Sequence, residues 1–281
     1  MVVGLRLVRT TGGKQTCGQH HHDTAGKTPL RHGATSVQTL AAARVRGRVP
    51  SAGMTAPNPA STAPAPAPYV ALREDPYKTH SLVVGYCGPD KRVLEIGCST
   101  GYLSEALQRN GCHITGVEID ASAGAVAQRW CERVVIGDIE GMDLAQLGGG
   151  YDVLLLADVL EHLRDPVAVL RRLRPLLAPD GYAVISVPNV ANWAMRLGLL
   201  AGRWNYTERG ILDRAHLRFF THITIQSTLA EGGFGIRTFD LSAPVPLNPP
   251  VAVSRLAHAV GRLRPSFFAY QFVIVAVPHR S

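Results

Sequence analysis

The chain has 281 residues and a formal net charge of +8, a length that suits one domain of about 200 residues with an appendage. Residues 1–68 alone carry a net charge of +7, so the remainder is nearly neutral, which argues against a nucleic-acid partner. Five cysteines without a Cys-x-x-Cys pair are typical of a reduced, cytoplasmic protein. No apolar run approaches the roughly 18 residues of a membrane span.

Residues 1–68 form a basic tail that ends in the Pro/Ala-rich stretch 57–68. They show no sustained apolar periodicity, so we predict that they are disordered and that the folded domain spans residues 69–281. Their arginine-rich, acid-poor composition resembles an organellar transit peptide. The alternative is a start site assigned too far upstream, with Met54 as the true first residue. We assign no function to this segment.

The first informative element is an apolar strand predicted at Arg92–Ile96, after a helix predicted over Pro76–Cys87. The strand runs into the turn Gly97-Cys98-Ser99-Thr100-Gly101, and a helix is predicted over Tyr102–Asn110. Glycines in such a turn let the backbone approach a ligand closely, and the amides at the start of the helix point at it. The spacing differs from the Gly-x-Gly-x-x-Gly of dinucleotide sites. Glu95, within the strand, favours a cationic ligand group such as an amine.

A second predicted strand, His113–Glu118, ends in an acid 21 residues after Gly97. A carboxylate at this position can accept both hydroxyls of a ribose, as in other doubly wound nucleoside sites. Strands and helices then alternate, which predicts parallel βαβ units with right-handed crossovers. Further helices are predicted at Ala121–Trp130, Asp165–Leu177 and His222–Gly232, and further strands at Arg133–Ile136, Asp152–Leu156, Tyr182–Val187, Ile236–Leu241 and Gln271–Val277.

The segment Val93–Gly101, together with Glu118, resembles the class I S-adenosylmethionine-dependent methyltransferases. The resemblance implies a doubly wound α/β fold, with a mostly parallel seven-stranded sheet that ends in an antiparallel hairpin. It implies S-adenosylmethionine as the cofactor, and it places Asp138 at the adenine, although a turn or N-cap role is the alternative for that residue. The cofactor contacts predicted on this basis are Glu95, Gly97, Cys98, Ser99, Gly101, Glu118, Ile119, Asp138, Ile139 and Ala157.

Three potential metal ligands follow the fourth strand. Asp158, Glu161 and His162 are spaced i, i+3 and i+4, so a helical turn would bring them to one face at the carboxyl end of the sheet. Two carboxylates and an imidazole make a hard, oxygen-rich site for Mg²⁺, Mn²⁺ or Zn²⁺. A further histidine, His216, lies in a later segment that is rich in aromatic residues.

This arrangement resembles two groups of metal-dependent O-methyltransferases, the quinone-biosynthesis enzymes and the small-RNA 2′-O-methyltransferases. The resemblance implies one divalent ion bound by Asp158, Glu161, His162 and His216, which would acidify a substrate hydroxyl. Two alternatives stay open. His162 could act alone as a catalytic general base near neutral pH, or Glu161 and His162 could only order the loop before the next helix.

The insertion at residues 188–221 is the segment in which this fold builds its acceptor pocket. It offers Trp193, Trp204 and Tyr206 as flat platforms edged by polar side chains, a combination that suits a sugar, and it resembles methyltransferases of polysaccharide pathways. We therefore predict an O-methyltransferase that acts on a hydroxyl of a sugar or glycan intermediate. The alternatives are a phenolic or quinone-type small-molecule acceptor, and a non-catalytic S-adenosylmethionine-binding partner in a biosynthetic complex.

Overall fold

The computed structural model describes residues 75–243 and 250–279. The strands are β1 (Arg92–Ile96), β2 (His113–Glu118), β3 (Arg133–Ile136), β4 (Tyr151–Ala157), β5 (Leu177–Pro188), β6 (Phe234–Ser242) and β7 (Gln271–Pro278). The helices are α1 (Thr79–Cys87), α2 (Tyr102–Arg109), α3 (Ala121–Ala127), α4 (Pro166–Leu173), α5 (Trp193–Leu200), α6 (His222–Glu231), α7 (Val251–Leu263) and α8 (Pro265–Phe268). The tail predicted at residues 1–68 lies outside the described residues.

The seven strands form one sheet with the order β3-β2-β1-β4-β5-β7-β6. Neighbours among β1 to β5 are parallel, whereas β7 runs antiparallel to both β5 and β6. The predicted mostly parallel sheet with an antiparallel terminal hairpin is therefore confirmed. The strand order reverses between β1 and β4, and such a switch point is where open α/β sheets bind ligands.

The central strand β4 shows why the sheet is a rigid platform. Leu154 and Leu156 project to one face of the sheet, Val153 and Leu155 project to the other, and all four are fully buried. A strand covered on both faces needs a continuous apolar sequence, and burial of each leucine side chain stabilises the fold by about 1.5–3 kcal/mol. The loops that follow β4 and its neighbours therefore begin at a rigid edge of the sheet.

Local sequence sets the bounds of α4, the helix after β4. Asp165 accepts a hydrogen bond from the amide of Ala168 at 2.9 Å, and Pro166 occupies the first turn. Both residues favour the beginning of a helix. The helix ends at Leu173, earlier than predicted, because Pro175 has no amide hydrogen with which to continue it.

Three helices, α5, α7 and α8, lie in segments for which the sequence predicts no helix. The first lies within the insertion at residues 188–221, and the other two lie between β6 and β7. Among the described residues, none of the helices combines the length and the apolarity that crossing a membrane requires.

Candidate active site

A cavity of about 330 Å³ opens at the carboxyl ends of β1 to β4. Five predicted cofactor contacts line it, namely Gly97, Glu118, Ile119, Asp138 and Ile139, and so do Asp158 and His162. The lining also includes residues for which the sequence predicts no role in a site: Ile96, Val117, Gly137, Glu140, Val159, Leu163, Arg164 and Leu217. Apart from Leu163, Arg164 and Leu217, these residues share a position at or just beyond the carboxyl end of a parallel strand, where ligands bind.

The turn after β1 has the backbone shape that its two glycines predict. Gly97 has a φ of +71° and Gly101 a φ of +82°, the left-handed region that residues with a side chain rarely adopt. A Cβ atom at Gly97 would lie 3.0 Å from Cγ2 of Val159, and one at Gly101 would lie 3.0 Å from Cα of Ala127. A side chain at Gly97 would therefore crowd the cavity wall, whereas one at Gly101 would crowd the packing of α3.

Glu118 lies at the end of β2, where backbone amides fix its carboxylate. Oε2 accepts the amide of Ser99 at 2.8 Å, and Oε1 accepts the amide of Asp120 at 2.9 Å. The side chain is largely buried but lines the cavity. Because each carboxylate oxygen can accept more than one hydrogen bond, the group has capacity left for the hydroxyls of a ligand.

Asp138 and Ile139 follow β3, the strand next to β2. One carboxylate oxygen of Asp138 accepts the amide of Glu140 at 2.9 Å, which is the turn role kept as an alternative. Asp138 also lines the cavity, so the turn role and a ligand contact are compatible at this residue. Ile139 is buried and supplies part of the apolar wall.

Glu95 lies deeper in the protein than its predicted role requires. Its side chain is 2% exposed, and Oε2 accepts a hydrogen bond from Ser104 Oγ at 2.5 Å. Burial raises the pKa of Glu95 to about 8, and the nearby Cys131 and Glu118 add to the effect. Below that pH the group is neutral and cannot supply the negative charge expected for an amine.

Five of the predicted cofactor contacts lie outside the lining of the described cavity: Glu95, Cys98, Ser99, Gly101 and Ala157. Ser99 nevertheless acts on it indirectly, because its amide holds Glu118. Cys98 is buried beneath the turn, against Gly116 of β2. The role of these five residues as direct cofactor contacts stays a prediction.

Three of the four predicted metal ligands lie together. Among the described residues, one ligand atom from each of Glu161, His162 and His216 lies within 4.8 Å of the others. The backbone holds the distant histidine in place, because the amides of Leu217 and Arg218 donate to the carbonyl oxygen of Glu161 at 2.8 and 2.9 Å. The segment that carries His216 is thereby fixed beside the turn after β4.

Both histidine rings use Nδ1 for a backbone contact. Nδ1 of His162 lies 3.2 Å from the carbonyl oxygen of Ala215, and Nδ1 of His216 lies 3.1 Å from that of Ile211. A carbonyl oxygen only accepts, so each Nδ1 carries the hydrogen and each Nε2 keeps its lone pair. Metal-binding histidines are oriented in this way. Burial lowers the pKa of His216, which favours the neutral ring.

The carboxyl group of Glu161 is buried without a partner. The residue is 1% exposed, and neither side-chain oxygen has a hydrogen-bond partner among the described residues. Burial, followed by the negative charge of Asp158, raises the pKa of Glu161 well above its usual range. Leaving such a group unpaired costs about 1–3 kcal/mol, so it calls for an explanation such as a bound ion or ligand.

Asp158 is not part of this three-residue group, and its role as a metal ligand stays a prediction. The carboxylate accepts hydrogen bonds on Oδ1 from Ser186 Oγ and Gln271 Nε2, each at 2.8 Å. The residue has a φ of +55°, and a short 3₁₀ turn at Leu160–His162 follows it. The segment is therefore not the continuous helical turn that the i, i+3, i+4 spacing assumes, and three of the four predicted ligands lie together.

The aromatic residues of the insertion at 188–221 do not form one surface. Trp204 packs edge-on against Phe219, with ring centroids 5.4 Å apart, and Phe219 in turn lies against the ring of His216. Trp193 lines a separate cleft, and Tyr206 is exposed. The flat platforms that favoured a sugar acceptor are dispersed.

Curated relatives include the ubiquinone biosynthesis O-methyltransferases of Psychrobacter arcticus, 29% identical over 154 residues, and of Aeromonas salmonicida, 36% identical over 104 residues. These matches cover 51% and 35% of this chain and 59% and 44% of the relatives, so the chain spans about half the length of the curated relatives it matches.

Solved structures with a similar fold include two proteins at low sequence identity. An S-adenosylmethionine-dependent methyltransferase of Thermotoga maritima, described as a possible histamine N-methyltransferase, has a TM-score of 0.51 at 17% identity and covers 72% of this chain and 89% of that chain. Another, from Mesorhizobium loti, has a TM-score of 0.50 at 16% identity and covers 70% of this chain and 96% of that chain. At these identities the likeness establishes a shared fold.

A family model described as a methyltransferase domain matches residues 72–238. The match covers more than half of the chain and contains the predicted cofactor and metal residues, from Glu95 to His216. The resemblance seen in the sequence is confirmed: this chain belongs to the class I S-adenosylmethionine-dependent methyltransferases.

Proposed function

We propose that this chain transfers a methyl group from S-adenosylmethionine to a hydroxyl of a phenolic or quinone-type small molecule. The observation that carries the proposal is the cluster of Glu161, His162 and His216 beside the cavity lined by Gly97 and Glu118. His162 lines that cavity as well, so a single side chain faces both sites. The curated relatives support transfer to oxygen, since they are named as O-methyltransferases.

The acceptor differs from the sugar or glycan favoured in the sequence analysis. The relatives support the phenolic alternative, because they are enzymes of ubiquinone biosynthesis. The chemistry favours it too. A phenolic hydroxyl loses its proton near pH 10, far more readily than the alkyl hydroxyl of a sugar, so a neutral imidazole can complete the deprotonation as the methyl group is transferred.

His162 is the residue that we assign as general base. Its Nδ1–H donates to the carbonyl oxygen of Ala215, so Nε2 is free to take the proton of the acceptor hydroxyl. The acceptor oxygen forms a bond to the methyl carbon, and the electron pair of the breaking C–S bond stays on sulfur, which leaves S-adenosylhomocysteine. The fixed ring of His162 and the glycine turn would align the acceptor oxygen with the methyl group. Such alignment accounts for much of the rate acceleration in reactions of this kind.

We also propose a divalent metal site at Glu161, His162 and His216. Two features support this site: the carboxyl group of Glu161, which has no partner among the described residues, and the Nε2 atoms of His162 and His216, which keep their lone pairs. One carboxylate and two imidazoles are a donor set of catalytic zinc sites, which keep a further position open. When bound, the ion would supply the acidification of the acceptor hydroxyl, and His162 would then serve as a ligand.

Calorimetric titration of Zn²⁺ or Mn²⁺ into the metal-free protein tests this site. We expect one ion per chain, and loss of binding in His216→Ala and in Glu161→Gln with little change in S-adenosylmethionine affinity, because the cofactor cavity rests on other residues. His113→Ala, on the exposed start of β2, is the matched control. If the unaltered protein binds no ion, the metal is ruled out and His162 alone remains as the base.

Methyl transfer from labelled S-adenosylmethionine to a catechol, compared with transfer to a methyl glucoside, tests the acceptor class. We expect methylated catechol, and loss of turnover in His162→Ala by a factor of about 10²–10⁴, the usual contribution of a general base. Methylation of the glucoside alone would restore the sugar acceptor. Cofactor binding without turnover of either probe, tightened by a protein partner, would support the non-catalytic alternative.

A further inference from the structure

Helix α5 presents large apolar side chains to solvent. The structure describes all eight of its residues, and none of them is buried. Trp193, Leu197 and Leu200 lie along one side at the spacing i, i+4, i+7, and Leu200 is 85% exposed. A surface helix normally buries its apolar face, and within the part of the chain that the structure describes, no element covers this side of α5.

Helix α7 also exposes large apolar side chains, whereas the face that it buries carries smaller ones. The residues that it buries include the small Ser254 and Gly261 together with His258, whereas a stripe of larger aliphatic side chains faces outward. That stripe consists of Val253, Leu256, Val260 and Leu263, spaced i, i+3, i+7 and i+10. Leu263 is 77% exposed. The outward face has the apolar periodicity of a docking face rather than of a solvated one.

The two helices meet through α8. Arg196 of α5 stacks over the ring of Phe267 at 5.6 Å, and the Asn192 side chain donates to the carbonyl oxygen of Phe268. A cleft of about 360 Å³ lies between them, lined by residues of α5, α7 and α8 and by Ile211, whose carbonyl oxygen holds His216. Trp193 of α5 and Val260 of α7 both line this cleft. The exposed apolar side chains of α5, α7 and α8, here called the apolar patch, are therefore carried by three helices that border one cleft beside the candidate active site.

The chain segments that carry the apolar patch have charges of one sign. Residues 189–206 and 250–270 contain no Asp or Glu and carry five arginines: Arg196, Arg203, Arg255, Arg262 and Arg264. Two carboxylates that contact α7 bind residues of its buried face, since Asp75 accepts from Ser254 and Asp240 pairs with His258. An apolar surface edged by arginines, with long stems that can lie along it, fits the boundary between lipid tails and anionic headgroups.

We propose that the apolar patch docks this protein onto a membrane surface that bears anionic lipid headgroups. The helices lie in the interface, and the arginines attract phosphate groups while Trp193 and the leucines enter the acyl boundary. Two other occupants fit less well. The segment 1–68 is itself strongly basic, and a symmetric pair of these patches would bring arginines against arginines.

Sedimentation of the full chain with vesicles tests the proposal. We expect binding to vesicles of phosphatidylcholine mixed with phosphatidylglycerol, much weaker binding to phosphatidylcholine alone, and a decrease in binding as salt is added. Replacing Arg255 and Arg262 together by Gln should weaken binding about fivefold for each arginine. Leu200→Asp combined with Leu256→Asp should abolish it, with an unchanged melting temperature because both side chains are exposed.

Val126→Asp is the matched control, since Val126 is an exposed aliphatic residue on α3, which packs on β2 and β3 at the opposite end of the sheet. It should leave vesicle binding intact. Equal binding to both kinds of vesicle, or to neither, would overturn the proposal. So would light scattering that shows a dimer which Leu256→Asp converts to a monomer, because the apolar patch would then be a contact between two copies of this chain.

Discussion

At the scale of single residues, Glu118 connects the glycine turn to the cofactor cavity. Its carboxylate accepts the amides of Ser99 and Asp120 and keeps capacity for ligand hydroxyls. We expect Glu118→Ala to weaken S-adenosylmethionine binding by about 1–3 kcal/mol, the usual cost of lost charged hydrogen bonds. Calorimetric titration with the cofactor measures the change. Glu132→Ala, at an exposed carboxylate, is the control, and equal affinities of the two variants would contradict the role of Glu118.

The buried carboxyl group of Glu95 makes stability depend on pH. Its pKa is about 8 in the folded protein and near 4.5 when unfolded, so between these values the folded state holds a proton that the unfolded state has released. The free energy of unfolding therefore falls as pH rises through this window. We expect Glu95→Gln, which is neutral at every pH, to gain stability relative to the unaltered chain as pH rises from 5 to about 8.

Urea denaturation of the cofactor-free protein at a series of pH values measures this difference. The comparison between variant and unaltered chain isolates Glu95, because Glu161 and other titrating groups are common to both. A stability difference that stays constant across the window would show that Glu95 keeps an ordinary pKa in the folded state.

The sequence predicts those residues of the candidate site that short local motifs mark. Gly97 and Glu118 stand at strand ends that short motifs mark, and the structure places both in the cavity lining. Asp158 could not be placed, because its side chain is taken by Gln271, a residue of a distant strand without a motif. The burial of Glu95 could not be predicted either, because it depends on the packing of α2, whose Ser104 donates a hydrogen bond to its carboxyl group.

At the scale of elements, the strands were predictable and several helices were not. The bounds of β1, β2 and β3 agree with the prediction, because each is a short run rich in Val, Ile or Leu that is followed by a turn or loop. Helix α7 was not predicted, although its larger aliphatic residues follow a helical spacing. The face that it buries could not be read from that spacing, because the helix buries small residues and exposes the larger ones.

In the terminal hairpin, the side chain of Phe272 on β7 is fully buried. Its ring contacts Phe239 of β6 and His222 of α6. We expect Phe272→Ala to lower the free energy of unfolding by about 3–5 kcal/mol, since the cavity left behind cannot collapse fully. Chemical denaturation measures the loss. Phe267→Ala, at a half-exposed ring, is the control and should cost much less.

At the scale of the whole molecule, the charge and the described fold belong to different parts of the chain. Almost all of the net charge lies in residues 1–68, whereas the candidate site lies between Glu95 and His216. We expect a variant that lacks residues 1–68 to keep its melting temperature and its affinity for S-adenosylmethionine. Thermal denaturation and calorimetry measure the two quantities. A large loss of either would show that the basic segment contributes to the folded domain.

The position of β7 between β5 and β6 has a consequence for how the molecule refolds. The paired residues Ala183 and Ala276 are about 90 residues apart along the chain, and closing so long a loop costs entropy before any strand pairing repays it. Until β7 arrives, β5 presents an open edge of amide and carbonyl groups to which a strand of another chain can add. Recovery of native protein from denaturant should therefore fall as protein concentration rises, because intermolecular pairing at that edge competes with the late arrival of β7.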